Sequence, residues 1–268
     1  MNETPTPAIS WAGEYRLAAG DCASWQIGPF KLWASMLSSE IRLAFDRGSD
    51  PLDSTLVVSA SNATSEPPEG SKVRRFGFSQ PPGSIELVPC LADRPIVVSP
   101  GDPLILPPHE QTTLFISTPL WVMVMAGKGT SPLLDQPTHR VTDTWFGPST
   151  MEGELCYATR TNARMNLENL PVRPHRVIST VEIRNEAKSD LSIEKLRIPA
   201  QQMSVYATGA GHFWTESVTL DRKEEGETAA VRLGKGPPQQ APAANPVGGP
   251  RTQLPRGVLT RAFAGLLG

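Results

Sequence analysis

Residues 144–165 read TWFGPSTMEGELCYATRTNARM, the densest run of unusual chemistry in the chain. From Glu154 to Met165 the run suits one extended strand, in which successive side chains point to opposite sides. Leu155, Tyr157, Thr159, Thr161, Ala163 and Met165 then share one face, and Glu154, Cys156, Ala158, Arg160, Asn162 and Arg164 the other. Arg160 and Arg164, on either side of Asn162, make a surface able to grip a carboxylate or phosphate by charge-assisted hydrogen bonds. The structural alternative is an internal salt bridge with Glu154, Asp143 or Glu182 as the counter-charge. Trp145-Phe146-Gly147-Pro148 is expected to pack the junction of two strand-rich halves, Gly147 permitting a backbone that bulkier residues resist.

The same two-residue period recurs outward from this stretch. Phe30, Leu32 and Ala34 alternate with Lys31, Trp33 and Ser35; Ile41, Leu43 and Phe45 alternate with Glu40, Arg42 and Ala44. This is the pattern of half-buried strands. Thr112 to Ser117 and Leu120 to Met125 are strongly β-forming runs separated by Pro119, which predicts an edge or a strand that changes sheets. Val177 to Arg184 and Leu191 to Ile198 flank a polar turn and predict a hairpin or a sheet-to-sheet corner, with a bulge near Lys195. The 27 prolines and 22 glycines punctuate short strands in a way helices tolerate badly. The predicted fold is all-β: two packed β-sandwich-like lobes, residues 1–143 and 144–235.

From Gly236 the composition changes. Residues 236–257, GPPQQAPAANPVGGPRTQLPRG, have neither apolar periodicity nor an acid and predict a flexible linker. Beyond it, Val258, Leu259, Ala262, Phe263 and Leu266 fall on one face of a helix, so residues 258–268 are expected to form a short amphipathic docking helix. So short a helix is marginal alone, and its face needs a protein partner, which a second copy of the chain could also supply. Arg251, Arg256 and Arg261 add positive charge nearby, giving weak contact with a membrane surface.

A formal net charge of −2 argues against a nucleic-acid binder, which needs clustered Lys and Arg. Cys22, Cys90 and Cys156 are odd in number and widely spaced, which predicts free thiols in a reducing compartment. The amino end lacks the pattern of a signal peptide, and Leu120 to Ala126 is too short to cross a bilayer as a helix. These features predict a cytoplasmic protein, at most peripheral to the inner membrane. GxSxG, HExxH and CxxC patterns are missing, and Gly127-Lys128-Gly129-Thr130 lacks the spacing of a phosphate-binding loop. His109, His139, His175 and His212 are expected to be ordinary turn residues, and Cys156 a packing residue. An enzyme would need Glu152, Glu154 or Cys156 to converge with a histidine. No cofactor or metal is expected.

PLWVMV (119–124), DTWFGPSTMEGELCYATRTNAR (143–164), VEIRNEAKSDLSIEKLRIPAQQMSVYA (181–207) and FWTESVTL (213–220) together resemble the prokaryotic domain-of-unknown-function 432 family. Its members are often encoded beside small mechanosensitive channels. The resemblance covers roughly Trp11 to Leu233 and leaves the linker and final helix outside. It supplies no catalytic residues. It implies a non-enzymatic binding or scaffold protein, an accessory of a membrane channel; the alternative from the residues themselves is a sensor that holds an anionic ligand at Arg160, Asn162 and Arg164.

Overall fold

The computed structural model describes residues 10–59, 67–127, 129, 131–223, 228–253 and 259–264, without the side chains of residues 160–162, 259, 260 and 264. The strands run in chain order as β1 (Gly13–Arg16), β2 (Cys22–Ile27), β3 (Phe30–Met36), β4 (Glu40–Arg47), β5 (Leu56–Ser59), β6 (Lys72–Gly77), β7 (Ser84–Cys90) and β8 (Ile96–Pro100). Next come β9 (Leu104–Leu106), β10 (Gln111–Pro119), β11 (Trp121–Ala126), β12 (Leu134–Pro137), β13 (Thr142–Phe146), β14 (Glu154–Ala163), β15 (Arg176–Asn185) and β16 (Leu191–Ile193). The last are β17 (Lys195–Ile198), β18 (Val205–Ala207), β19 (Phe213–Trp214), β20 (Val218–Arg222), β21 (Thr228–Leu233), β22 (Asn245–Gly248), β23 (Leu259–Arg261) and β24 (Phe263–Ala264). Two single turns of 3-10 helix, Leu167–Asn169 and Ala200–Gln202, are the helical elements among the described residues. The protein is all-β, as its alternation predicts.

One sheet is local to the amino-terminal half, in the order β5-β2-β3-β4-β6. Its β2–β3 hairpin turns at Gly28-Pro29, and Gly28 has φ 58°, the positive value that the first position of a tight hairpin turn can require. The largest sheet runs β22-β18-β19-β15-β20-β21-β23, with β10 added alongside β15. A further sheet runs β13-β14-β8-β17-β24. These last two cross the expected 143/144 boundary: β10 pairs with β15 from Gln111↔Arg184 to Pro119↔Arg176, and β8 lies between β14 and β17. One continuous apolar core follows, from Trp11 through Trp25, Phe30 and Phe213 to Phe263.

The polar turn after β15 is a corner between sheets. Asn185 Nδ2 donates to the carbonyl oxygens of Leu106, Pro107 and Ser189 at 2.9, 3.0 and 2.9 Å. Arg222 Nη1 donates to Asn185 Oδ1 at 2.9 Å, so the buried Asn185 amide uses both its nitrogen and its oxygen. The expected slip near Lys195 is the break at Glu194: β16 pairs with β9, whereas β17 pairs with β8 and β24.

The carboxyl-terminal expectations are corrected. Residues 259–264 form β23 and β24 instead of a docking helix, pairing with β21 and β17. Ala262 and Phe263 are fully buried in the core of the same chain. Backbone hydrogen bonds to two waiting strand edges outweigh the weak preference of a short isolated helix. The expected flexible linker is, over residues 236–253, ordered chain. Its β22 pairs with β18, and Arg251 N–H and Thr252 N–H both donate to Gln201 O. Val258 and Leu266 lie outside the described residues, as do the remaining residues of the expected linker from Leu254 to Gly257.

Candidate anion-binding cleft

β14 is irregular where its arginines lie. It runs parallel to β8, pairing Tyr157↔Ile96 and Ala158↔Val97, then Asn162↔Ser99 and Ala163↔Pro100. Three residues of β14 therefore stand opposite one of β8, a bulge that interrupts strict alternation. Just beyond it, Phe115 N–H donates to Arg164 O at 2.7 Å and Arg164 N–H to Phe115 O at 3.0 Å. These two bonds fasten the end of β14 to β10.

Beside this junction is a cleft of about 540 Å³, within the range of small-molecule sites. Its basic lining comprises Arg140, Arg164, Arg173 and Arg176, with His139 beside them. Among the described residues no Asp or Glu lines it. Pro51, Leu52, Pro119, Val141, Leu170 and Pro171 supply apolar wall. Ala158 and Thr159, expected on opposite faces of the strand, both line the cleft. The Thr159 hydroxyl is buried and finds no hydrogen-bond partner among the described residues.

The inner arginines reach hydroxyl and carbonyl oxygens of other segments. Arg176 Nε donates to Ser117 Oγ at 2.9 Å and its Nη2 to Ser117 O at 2.5 Å. Arg173 donates to the carbonyl of Leu52, holding the loop after β4 against the segment that leads into β15. Burial, reinforced by the positive charge of Arg173, pushes the Arg176 guanidinium down to about 10, still protonated at neutral pH. Arg47 behind the cleft is shifted the same way, chiefly by burial and then by Arg140.

The three acids expected to neutralise this region are occupied by other arginines. Glu154 is held by the Arg197 fork, Arg94 pairs with Asp143 at 3.2 Å, and Arg184 with Glu182 at 2.8 Å. Asp50, next to two lining residues, accepts the Leu52 N–H at 2.8 Å within its own turn. The internal salt bridge foreseen for Arg164 thus does not form with any of its three proposed acids.

Of the sequence-derived ligand residues, Arg164 lines the cleft, while the side chains of Arg160 and Asn162 lie outside the described residues. Of the partner-docking set, Ala262 and Phe263 face the core, and the side chain of Leu259 is not described. Arg140, Arg173 and Arg176 escaped the sequence reading. The one local signal was the basic run Pro171-Val172-Arg173-Pro174-His175-Arg176; nothing in the sequence joins it to Arg140 or Arg164.

His175 is fully buried. Its Nε2 lies 3.2 Å from Pro51 O, and its Nδ1 has no partner among the described residues. Burial, with Arg176 next in size, pushes it down to about 4, so the ring is neutral at pH 7. Cys156 is buried against Val97 and Phe146, and burial together with Glu154 pushes its thiol up to about 12. Its side chain packs with Val97 and Phe146 in a small apolar cluster.

These features define an all-β protein of interlocked sheets carrying an arginine-lined cleft. The chain belongs to the family described as "Protein of unknown function (DUF432)", which matches residues 11–267. The match corrects the narrower span of the sequence resemblance and includes β22, β23 and β24, in keeping with their place in the fold. No curated protein and no solved structure matches the chain. No helix among the described residues is long and apolar enough to cross a membrane.

Proposed function

We propose that this is a non-enzymatic binding protein that holds an anionic ligand in the arginine-lined cleft. The observation that carries this reading is a concentration of like charge: Arg140, Arg164 and Arg173 line one cleft whose described lining contains no carboxylate. Guanidinium groups present donors in a planar fork that matches phosphate and carboxylate oxygens. A bound anion would relieve the mutual repulsion that burial intensifies. Thermal-shift measurements with inorganic phosphate, pyrophosphate and citrate test it. Stabilisation is expected with wild type and reduced at least several-fold in apparent affinity for Arg164→Ala and Arg173→Ala. Absence of a shift with every anion, or equal shifts in both variants, would overturn the proposal.

A second reading, a scaffold that docks a protein such as a membrane channel, draws on the family resemblance and on the β13–β14 hairpin. Trp145, Met151 and Leu155 are exposed there on an edge of the sheet. Co-purification with a small mechanosensitive channel, lost on Trp145→Ser, is its test. Equal recovery of the channel by wild type and variant, or no recovery by either, would remove the hairpin from this role.

A further inference from the structure

We infer that the ligand of the cleft is an amphiphilic phosphate ester, its head held by the arginines and its apolar body lying along Leu52, Val141 and Pro171. The inference rests on the anion-binding reading and narrows it to a chemical class.

Charge argues for phosphate. A phosphate monoester carries about −1.5 to −2 at neutral pH and offers three acceptor oxygens, whereas a single carboxylate brings −1 and two. The guanidinium groups of Arg140, Arg164 and Arg173 are better balanced by the former. The Thr159 hydroxyl adds an unused donor in the same lining.

Size and surface argue for an apolar body. Inorganic phosphate would leave most of a 540 Å³ cleft empty, and the wall around the arginines is rich in proline and aliphatic side chains. Isolated exposed aliphatic residues are ordinary. Leu52, though 62% exposed, belongs to this wall, with Val141 and Pro171 in the same lining. Arg140 and Arg164 are exposed while Arg173 and Arg176 are half-buried, so positive charge extends from the interior of the cleft to its mouth. A water-soluble phosphorylated compound and a phospholipid head group presented by a bilayer share this chemistry.

Isothermal calorimetry on the full chain with glycerol 3-phosphate and with dihexanoyl phosphatidic acid, kept monomeric, tests the inference. The short-chain lipid is expected to bind about tenfold more tightly or better, since burial of even a few methylene groups supplies that margin. Leu52→Ser combined with Val141→Ser should erase the margin while leaving glycerol 3-phosphate affinity within about twofold. Arg173→Ala should weaken both ligands. Equal affinity of the two ligands for wild type, or an unchanged margin in the double variant, would overturn the apolar-body inference while leaving anion binding intact. Absence of binding by either ligand would overturn both readings. Sedimentation with vesicles of phosphatidylcholine containing phosphatidic acid, but not with phosphatidylcholine alone, would support the bilayer as the source. Calorimetric binding without such sedimentation would support a soluble amphiphile; either result retains the class.

Discussion

Phe263 is paired with Leu196 across β24 and β17, and both side chains are fully buried. The carboxyl-terminal strand is thus a wall of the core. Phe263→Ala is expected to lower stability by about 3–5 kcal/mol, the range for removing a large buried ring. Urea denaturation followed by tryptophan fluorescence checks this. A change below about 1 kcal/mol would be the behaviour of a tethered segment that docks elsewhere, and would contradict the packing described.

Arg251 anchors the segment before β23. Its Nη1 and Nη2 reach Asp135 Oδ2 and Oδ1 at 2.5 and 2.9 Å, and its Nε donates to Leu91 O at 2.7 Å. The pair is largely but not wholly buried, so its loss lies between the surface and buried limits, at about 2 kcal/mol. Arg251→Ala should lower the melting temperature by roughly 4–8 °C. Arg251→Lys keeps the charge but loses the two-pronged geometry and should recover less than half of that.

His175 supplies a pH dependence whose sign follows from its burial. Gly28 leaves no room beside the ring: a Cβ there would stand 2.2 Å from His175 Nδ1. In the folded chain the ring is pushed down to about 4 from an ordinary 6.5, with burial the main cause. Below pH 6.5 the unfolded chain therefore binds a proton that the folded chain refuses until about pH 4. The stability contributed by neutral His175 is fully present above pH 6.5 and is lost as pH falls through that window, by about 2 kcal/mol at pH 5. Denaturation at pH 7.5 and pH 5 should show His175→Gln losing correspondingly less than wild type between the two values. Equal losses would mean that His175 is not the group responsible.

Much of the β architecture was legible because strand alternation is a local property. Ile41, Leu43 and Phe45 of β4 are all buried, as their spacing demands. The break after β15 was legible for a related reason, since Asn and Asp in a polar run interrupt a strand wherever it lies; that it is a corner and not a hairpin was decided by the sheets. The tail was not. Its apolar spacing fits a helix, but Ala262 and Phe263 are equally able to fill a core when a strand edge stands open beside them. The edges of β17 and β21 are properties of the folded sheets and have no trace within ten residues of sequence.

The candidate cleft divides in the same way. Arg164 was identified from its neighbours in the sequence, because its place at the end of a strand and its chemistry are both local. Its expected partnership with Glu154, Asp143 or Glu182 depended on three-dimensional neighbours, and Arg197, Arg94 and Arg184 hold those acids instead. The sequence by itself determined an all-β chain, its principal strands and the polar break after β15, which it left as a hairpin or a corner between sheets. Tertiary structure alone decided that β8 and β10 of the first half lie among strands of the second, and that Arg140, Arg173 and Arg176 join Arg164 around one cleft. Periodicity acts over neighbouring residues, whereas a cluster of like charges is produced by chain segments that only folding brings together.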